Sequence, residues 1–513
     1  MNPVFAILWL IGLPLLASPV IYLVGRGVAR RDGESSSRNP ARWVALITTA
    51  AMGFPLFVLA QDLLTTNKGF VGLLFADISL RFDGISLVLA ASVWLLGLMV
   101  MLYSGPYMAR EVGEEKYYAL LSAMMAAMIG LGTAADLFNL WVWFETMAIT
   151  SFMLVAFYRD EPASLEAGFK YLVQSAIGSA LVLMGIALVF FSTGTLNLQQ
   201  LSHVGVGGVI PPTMIVAAAL MIIGFGVKTA LVPMHTWLPD AHSQAPSGIS
   251  AMLSGVVIAA GLVALLRSMG VLAYNNAVWG PIMLGFGVLN MVAGNLMALR
   301  QTVVKRLLAY SSLAHIGYML IGIGATVTFG NLSLAPGQGG AGAFFHLFTH
   351  AMMKGLAFLA AGALLYSLHI AKGQHAALTV TDLNGAAKRY PLIAMGLSIA
   401  VLGLGGLPPL AGFMSKWQIF VGAAANNNWW MIALVAFAAL NSVLSLGYYA
   451  PLVNRMVRNE PSEAVTAGKR VPVLMSVPVA ILSLVVLVFG FYPALFNGVG
   501  ALAGQALFRI IAP

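Results

Sequence analysis

Residues 224–242 of this chain read GFGVKTALVPMHTWLPDAH, and this stretch decides the fold. It begins as an apolar helix that carries Lys228 and then meets Pro233 and Pro239. A proline inside a helix removes a hydrogen bond and breaks the helix. A charge at the centre of a bilayer costs about 2.5–3.5 kcal/mol on insertion scales, so an ionisable residue inside an apolar segment indicates a functional site. The stretch therefore predicts an interrupted membrane helix with a buried charge.

A second stretch, residues 402–420, has the same design. It reads LGLGGLPPLAGFMSKWQIF, in which Pro408 and Pro409 precede Lys416. Interrupted helices at corresponding positions of two halves are typical of inverted repeats around an ion site at the membrane midplane. Counted along the chain, these are the seventh and twelfth apolar segments. The sequence therefore predicts two inverted five-helix repeats, spans 4–8 and 9–13.

The composition places the whole chain in a lipid bilayer. Of its 513 residues 60% are hydrophobic and only 8% are charged, whereas a soluble chain is about one quarter charged. Fourteen segments have the roughly 20 apolar residues that a transmembrane helix needs. They lie near residues 4–24, 43–61, 84–103, 117–134, 137–157, 170–193, 212–232, 247–268, 276–298, 307–326, 342–366, 391–411, 428–450 and 472–496.

The predicted fold class is an all-α polytopic membrane protein, because no segment shows the strand alternation of a membrane barrel. We divide it into three N-terminal spans (1–111), a first repeat (112–270), a second repeat (271–457), and span 14 with the C-terminus (458–513). The first apolar segment lacks a basic flank and a small-residue cleavage site, so we interpret it as a retained span.

The basic residues are distributed unevenly between the two sides of this topology. Nineteen of the 26 lysines and arginines lie in odd-numbered connections, four lie in even-numbered ones, and three are the buried lysines. The positive-inside rule then places both termini outside, which is the periplasm if this is a bacterium. The nineteen are Arg26, Arg30, Arg31, Arg38, Arg42, Arg110, Lys116, Arg159, Lys170, Arg300, Lys305, Arg306, Lys372, Lys388, Arg389, Arg455, Arg458, Lys469 and Arg470, and the four are Lys68, Arg81, Arg267 and Arg509.

Composition also excludes several classes of function. Cysteine is absent, which rules out disulfides, thiolate metal sites and Cys-ligated clusters within the chain. No loop is long enough for a nucleotide or flavin domain, so we expect no cofactor, and any redox chemistry belongs to partner subunits. The net charge of +9 is spread over loops, and no nucleic-acid partner is expected.

Glu145 in span 5 and Lys228 in span 7 form the first candidate pair. A buried lysine alone favours its neutral form, and a nearby carboxylate reverses that preference. At about 7 Å and an effective dielectric of about 20, the two charges interact by about 2.4 kcal/mol. A change in their separation can therefore load or release one proton. The alternative is a static buried ion pair that joins two helices.

Span 11 carries three titratable residues on one helical face. His346, His350 and Lys354 recur every four residues, which aligns them on a helix. We interpret them as a proton wire, because imidazole titrates near neutral pH. Two alternatives remain: a zinc site, for which no third ligand is evident, and a pair of histidines satisfied in the core.

Other residues extend this set. His315 in span 10 adds a polar group inside the bundle. Lys170 at the start of span 6 and Lys305 at the start of span 10 are interpreted either as membrane anchors or as supporting groups. Asp240 and His242, in the loop expected after span 7, mark a candidate entry from the inner face.

Four motifs together resemble the antiporter-like membrane subunits of respiratory complex I, of Mrp-type cation/proton antiporters and of membrane-bound hydrogenases. The resemblance runs from about residue 82 to the end of span 14. It implies fourteen helices with two inverted five-helix repeats and broken seventh and twelfth helices. The motifs are EAGFKYLVQSAIGSAL (166–181), GVKTALVPMHTWLPDAHSQAPSGISAMLSG (226–255), KRLLAYSSLAHIGYM (305–319) and LPPLAGFMSKW (407–417).

The resemblance also implies a function: a non-redox, ion-pumping subunit of an NADH:quinone oxidoreductase-like translocase. Its partners would be other membrane subunits and its cargo H⁺ or Na⁺, with no catalytic residue of its own. By resemblance, Glu145 and Lys228 are the paired residues of spans 5 and 7, the three titratable residues of span 11 form the central polar axis, and Lys416 is the terminal residue in span 12.

One departure from the family pattern is in span 8. Many members carry a lysine there, and the matching position in SGVVIAAGLVALLR (254–267) is Ala259. The link between the two halves must then rest on water, on His315 and the span 11 residues, or on a partner. Four rival functions stay open: a Mrp-type Na⁺/H⁺ antiporter subunit, an energy-converting hydrogenase subunit, a solute transporter, and a scaffold that has lost transport.

Overall fold

The computed structural model describes residues 1–32, 39–66, 69–75, 78–109, 111–202, 211–269, 276–329, 340–372, 377–425 and 427–511. Three of the basic residues counted above, Arg38, Lys68 and Arg110, lie outside this part of the chain. The first elements are α1 (Pro3–Asp32), α2 (Ala41–Ala51), α3 (Gly53–Thr66), β1 (Phe70–Phe75), β2 (Ile78–Asp83) and α4 (Gly84–Met108).

The next elements run to the middle of the chain. They are α5 (Glu114–Thr133), α6 (Leu137–Val155), α7 (Pro162–Thr193), α8 (Leu198–Leu201), α9 (Pro212–Thr229), α10 (Trp237–Gln244), α11 (Ser247–Met252), a π-helical turn (Leu253–Val257) and α12 (Ile258–Met269).

The second half of the chain follows the same pattern of long helices with one interruption. Its elements are α13 (Asn276–Leu299), α14 (Val304–Phe329), α15 (Gly340–Lys372), α16 (Ala386–Arg389), α17 (Pro391–Gly405), α18 (Ala411–Ala424), α19 (Trp429–Arg458), α20 (Glu463–Ala467), α21 (Val473–Phe491), a 3₁₀ turn (Pro493–Phe496) and α22 (Asn497–Ile511).

The all-α membrane fold is confirmed. Within the described ranges, twelve helices are long and apolar enough to cross a membrane. The two remaining predicted spans coincide with α5, which has 20 residues but a charged first turn, and with α17 and α18, which are each shorter than a full span. The exact count of fourteen and the inverted repeats stay predictions.

Both predicted interruptions are present. Helix α9 ends at Thr229, and Ala230 takes a left-handed conformation with φ of 59° before α10 begins at Trp237. Helix α17 ends at Gly405, and Gly406 turns the chain with φ of 83° before α18. Glycine at this second turn fits the positive φ, which most side chains disfavour.

Buried side chains bond the backbone groups that the breaks release. Asn290 on α13 donates to the Ala230 carbonyl at 3.1 Å and accepts from the Val232 N–H at 2.9 Å. At the second break, Lys416 donates to the Leu404 carbonyl at 2.7 Å. Because a backbone polar group left unpaired in hydrocarbon costs several kcal/mol, these bonds allow an interrupted helix inside the bilayer.

The centre of the bundle is formed by the helices of predicted spans 8, 10 and 11. The most apolar stretch of Ser247–Ser268 is completely buried inside the protein, and so are most residues of the corresponding stretches of α14 and α15. In contrast, only a third of the most apolar stretch of α1 is buried, and the buried share in α19 is smaller still. The titratable residues of α15 therefore lie far from lipid.

A short hairpin corrects the expectation of a chain without strands. Strands β1 and β2 pair antiparallel, with Phe70 opposite Asp83 and Phe75 opposite Ile78. The hairpin precedes α4 and lies outside the apolar spans. Each strand has only six residues, and β1 has apolar side chains on both faces. The sequence therefore shows no alternation of polar and apolar residues that would distinguish the strands from their surroundings.

The most buried ion pair of the described chain is one that the sequence did not predict. Arg267 was counted among loop residues, but it is 3% exposed and donates to the Asp83 carboxylate at 2.6 and 2.8 Å. It also donates to the Gly132 carbonyl at 2.8 Å. Asp83 in turn caps α4 by accepting from the N–H groups of Ile85 and Ser86. One arginine thus ties the ends of α4, α5 and α12 together.

Arg267→Met is expected to destabilise the fold by about 3–5 kcal/mol, because it leaves a buried carboxylate without its bidentate partner. Thermal unfolding of the purified complex and the amount of this chain in the membrane would measure the loss. Lys388→Met is the matched control, since the Lys388–Glu460 pair is exposed and such pairs contribute at most about 1 kcal/mol. Equal melting temperatures for both variants would contradict the assigned role.

The pH dependence of this loss follows from the pKa of Asp83. Burial alone would raise the pKa of this carboxyl, but the charge and hydrogen bonds of Arg267, with Arg81 in addition, lower it below its usual value. An acid with a depressed folded pKa stabilises the protein above its unfolded pKa of about 3.9 and loses that contribution only as the pH falls through the folded value. The melting difference between wild type and Asp83→Asn should therefore be the same at pH 8 and pH 5. A difference that shrinks over this interval would contradict the ion pair.

Candidate functional site

Lys228 lies in the last turn of α9 and is 1% exposed. Its Nζ donates to the Tyr171 hydroxyl at 2.6 Å and to Ser151 Oγ at 3.0 Å. Trp237, the first residue of α10, stacks on the Tyr171 ring with centroids 4.0 Å apart. The C-terminal end of a helix favours a positive charge, so both the broken helix and the hydroxyl cage support the ammonium form.

Glu145 lies on α6 and is half-buried. Its carboxylate accepts a short hydrogen bond from the Ser179 hydroxyl on α7, and Ser179 also accepts from Trp141 Nε1 at 2.9 Å. Glu145 and Ser151 are six residues apart, which is about 9 Å along a helix axis. The carboxylate and the Lys228 cage are thus consecutive layers between α6 and α7.

The role of the Glu145–Lys228 pair in proton transfer stays a prediction. The two side chains face the same helix interface, and the Glu145 charge acts on Lys228. However, the Glu145 carboxylate bonds the Ser179 hydroxyl, whereas the Lys228 ammonium bonds the hydroxyls of Ser151 and Tyr171. In the described chain the two head groups share no hydrogen-bond partner and form no direct ion pair. The sequence could place both residues at a similar depth in the membrane. It could not show that their head groups bond serine and tyrosine hydroxyls and not each other.

A cluster of charges lies at the start of α7 and α14. Asp240 accepts from Lys170 at 3.2 Å and from Arg306 at 2.6 Å, and Lys170 also pairs with Glu166 at 2.7 Å. Asp240 was expected in a loop, but it lies in α10. Because Lys170 and Asp240 are partly exposed, the cluster has contact with the medium.

His242 lies two residues further along α10 and is fully buried, not in a loop as expected. Its ring stacks on Phe358 of α15, 4.9 Å between centroids, and neither ring nitrogen has a hydrogen-bond partner among the described residues. The charges of Lys354 and Lys305 both act on this ring. Lys305 itself is 6% exposed and donates to the Ala245 carbonyl at 2.8 Å.

Lys354 on α15 is fully buried. Its Nζ donates to the Leu308 carbonyl at 2.7 Å and makes a short hydrogen bond to the Ser311 hydroxyl. The adjacent Ser312 pairs with Ser254 at 2.6 Å, and Ser254 lies in the π-helical turn of predicted span 8. Such π-helical turns are frequent at functional sites. The central lysine therefore lies beside hydroxyls of α14, which are linked to the span that lacks a lysine.

Two histidines and a serine form a continuous chain of hydrogen-bonded groups, and a third histidine lies beside this chain. His315 Nδ1 lies 2.9 Å from His346 Nε2, and His346 Nδ1 lies 2.8 Å from Ser415 Oγ. The His350 ring lies 5.1 Å from that of His315, and neither of its nitrogens has a partner in the described chain. A neutral imidazole has one donor and one acceptor nitrogen, so this chain can pass a proton by exchanging the two roles.

Lys416 closes the series on α18. It is 2% exposed, donates to the Leu404 carbonyl and to Ser442 Oγ at 2.8 Å, and lies 4.5 Å from the centroid of the Tyr318 ring. Leu404 is in the last turn of α17. Like Lys228, this lysine therefore lies at the C-terminal end of a half-helix.

Apart from Lys170 and Asp240, which belong to the partly exposed charge cluster, the predicted residues fall into three buried clusters. The first is Lys228 with Glu145, the second is Lys354 with His242 and Lys305, and the third is the histidine chain ending near Lys416. No hydrogen bond links the first cluster to the second in the described chain. No group of three or more His, Cys, Asp or Glu lies within metal-binding reach in the ranges covered by the structure.

Sequence reasoning missed the hydroxyl groups. Four hydroxyl groups that were not singled out each bond a predicted titratable residue: those of Tyr171, Ser151, Ser179 and Ser415. The only feature of the sequence that could have identified these hydroxyls is their position near a buried charge, as for Ser415, which directly precedes Lys416. Serine and tyrosine are common in membrane helices, so this signal does not select the right ones.

Family models match most of the chain. The model described as "NADH:quinone oxidoreductase/Mrp antiporter, TM" matches residues 134–442. A second, described as "NADH-Ubiquinone oxidoreductase (complex I), chain 5 N-terminus", matches residues 71–118. The first match contains all three clusters.

Individual relatives cover nearly the full length. F(420)H(2) dehydrogenase subunit N of Methanosarcina mazei is 33% identical over 92% of this chain and 93% of its own. NADH-quinone oxidoreductase subunit N of Desulfitobacterium hafniense is 32% identical over 80% of this chain and 83% of its own. A chain of the archaeal membrane-bound sulfane sulfur reductase superimposes with a TM-score of 0.82 at 27% identity, over 99% of this chain and 98% of that one.

Proposed function

Because the chain belongs to the NADH:quinone oxidoreductase/Mrp antiporter transmembrane family, we propose that it translocates protons as a subunit of a redox-driven membrane complex. Relatives are named as subunits of NADH-quinone oxidoreductase and of F(420)H(2) dehydrogenase. Other membrane subunits are its partners. This chain supplies the ion path, and electron transfer takes place in those partners.

The observation that carries the proposal is the series of buried titratable groups inside the bundle. Lys228, Lys354 and Lys416 are each at most 2% exposed, and each donates to neutral oxygen atoms. Amines and imidazoles bind and release protons, whereas hard cations prefer several carboxylate and carbonyl oxygen ligands and are repelled by ammonium groups. Among the described residues, no carboxylate contacts the second or the third cluster, which favours H⁺ over Na⁺ as the ion that passes them.

The two broken helices suggest a proton path made of two half-channels. In our proposal residues 112–270 form one half-channel with Lys228, and residues 271–457 form the other with Lys416. Helix α15 connects them through its histidines and Lys354. The Asp240 cluster serves as the entry to the first half, with both chain termini on the opposite side of the membrane.

We assign the link between the halves to His242 and Lys305. Ala259 replaces the lysine that many relatives carry in span 8, so that span offers no titratable group near Lys228. His242 is buried with two unpartnered nitrogens and feels the charge of Lys354. Water between the Lys228 cage and this imidazole would complete the path. The repeats, the orientation and this link are all part of the proposal.

A second candidate function is a subunit of a Mrp-type Na⁺/H⁺ antiporter or of an energy-converting membrane-bound hydrogenase. The family model that matches here is described for both oxidoreductase and Mrp antiporter chains. Purification of the native complex discriminates the candidates. Hydrophilic redox subunits would support the redox pump, and a set of small membrane subunits alone would support the antiporter.

The test of the proposal is Glu145→Gln. The amide keeps the bond to Ser179 but removes the charge that acts on Lys228. We expect proton translocation per turnover to fall at least about tenfold, in line with the loss of a positioned proton-transfer group. The measurement is acidification of inverted vesicles that contain the assembled complex.

The control for this test is Glu460→Gln, which removes a carboxylate that is 88% exposed. It should leave translocation unchanged. Wild-type translocation in Glu145→Gln, with normal assembly, would reject the role of the first cluster.

A further inference from the structure

A cavity of about 930 Å³ lies outside the three clusters, between the ends of α1, α5 and α6. Its volume is within the range of about 300–1,000 Å³ that is typical of small-molecule sites. One part of its wall is apolar and includes Leu120, Met153 and Phe157. These residues belong to, or directly follow, helices that cross the bilayer, so the apolar wall continues along the membrane interior.

The rest of the wall carries charges of both signs. Lys116 and Arg159 are the basic residues, and Glu111, Asp160 and Glu161 are the acidic ones. The side chains of Lys116, Arg159 and Asp160 form no hydrogen bond or ion pair with any described residue. Lys116 is only half exposed, so an unpaired ammonium there lacks much of the hydration that normally compensates it.

Helix ends reinforce this separation of charge. Helix α5 begins at Glu114 beside Lys116, and helix α6 ends at Val155, just before Arg159 and Asp160. The N-terminal end of a helix attracts anions. Glu114 and Glu115 in the first turn of α5 pair with Arg42 and Arg26 and do not line the cavity, so Lys116 is the charged residue that this turn presents to it. A ligand in this cavity therefore meets an anion-binding side on α5 and acidic groups on the segment after α6.

We propose that this cavity binds a phospholipid with a phosphoethanolamine headgroup. The phosphate contacts Lys116 and Arg159, the primary ammonium contacts Asp160 and Glu161, and the acyl chains follow the apolar wall toward the membrane interior. The charges at the helix ends mark the level of the headgroups, which is where a lipid presents these groups.

The acidic residues select among headgroups. A primary ammonium offers three N–H donors, which carboxylates can accept. Phosphatidylglycerol has no cation to offset the acidic side, so it meets repulsion there. Phosphatidylcholine has a cation but no N–H donor, and therefore gains less from the carboxylates.

The experiment uses the purified complex that contains this chain, reconstituted in nanodiscs with equal amounts of phosphatidylethanolamine and phosphatidylglycerol. After delipidation with detergent, retained lipid is counted by native mass spectrometry. We expect wild type to retain phosphatidylethanolamine in preference. The double variant Asp160→Asn with Glu161→Gln should reduce that preference at least about fivefold, since it removes both charged acceptors of the ammonium group.

A second double variant separates the two sides of the cavity. Lys116→Gln with Arg159→Gln should reduce retention of both lipids, because the phosphate is common to them. Lys388→Gln with Glu460→Gln is the control, since it removes an exposed pair of the same residue types. It should change neither retention nor preference.

Three results would overturn the proposal: equal retention of both lipids by wild type, an unchanged preference in the Asp160 and Glu161 variant, or density for a neighbouring subunit in the cavity in a map of the complex. If a variant fails to assemble, the wild-type preference and the density still decide.

Discussion

Lys228→Ala is expected to abolish proton translocation through this chain while the complex still assembles. The substitution removes the ammonium at the end of α9 and leaves the hydroxyls of Tyr171 and Ser151 bonded to each other at 3.0 Å. Since those two groups keep a partner, the loss of stability should be small relative to the loss of transport. A missing proton-transfer group costs about 10²–10⁴-fold in rate, so residual translocation should be near background.

Two further variants show whether Lys228 acts as a proton carrier. Tyr171→Phe removes the hydroxyl at 2.6 Å but keeps the ring that lies 4.3 Å from the ammonium. It should slow translocation without abolishing it. Lys388→Ala, at an exposed lysine, should have no effect. Translocation of wild-type size in Lys228→Ala would remove the first half-channel from the mechanism.

Lys354→Met has the second largest expected effect. Methionine fills the space of the lysine stem but carries no proton, and Lys354 is the titratable group nearest the junction of the two halves. We expect translocation to fall at least about tenfold, because both halves must exchange protons through α15. Vesicle acidification, normalised to the turnover of the same preparation, measures the loss.

Lys354→Arg distinguishes a relay from a fixed charge. Arginine keeps the positive charge and can still donate to Leu308 and Ser311, but it does not release its proton in proteins. If Lys354 relays protons, Lys354→Arg should fail like Lys354→Met. If the arginine variant translocates normally, Lys354 serves only as a buried structural cation.

The sequence predicted the spans and their breaks because hydropathy and proline act locally. Residues 224–242 and 402–420 contain, in one stretch each, the apolar helix, the break and the buried lysine. The depth of Glu145 and the shared face of His346, His350 and Lys354 follow from helical spacing alone. For the same reason, the candidate residues could be listed without knowing the packing.

Contacts between distant segments could not be predicted in this way. Arg267 was assigned to a loop because it ends an apolar stretch, yet it pairs with Asp83, 184 residues away. Asn290 bonds the break after α9 from another span, and nothing in its own neighbourhood marks it for that. His242 was expected in a loop because it follows the break that Pro233 and Pro239 indicate, but Pro239 lies in the first turn of α10, and His242 is buried in that helix.

The most direct measurement is proton ejection by proteoliposomes that contain the purified complex in sodium-free buffer, expressed per turnover. We expect wild type to acidify the receiving side without sodium, and both Lys228→Ala and Lys354→Met to lose that acidification. If wild type ejects protons only when sodium is present, or if both variants acidify as wild type does, the buried lysines and histidines do not form the proton path.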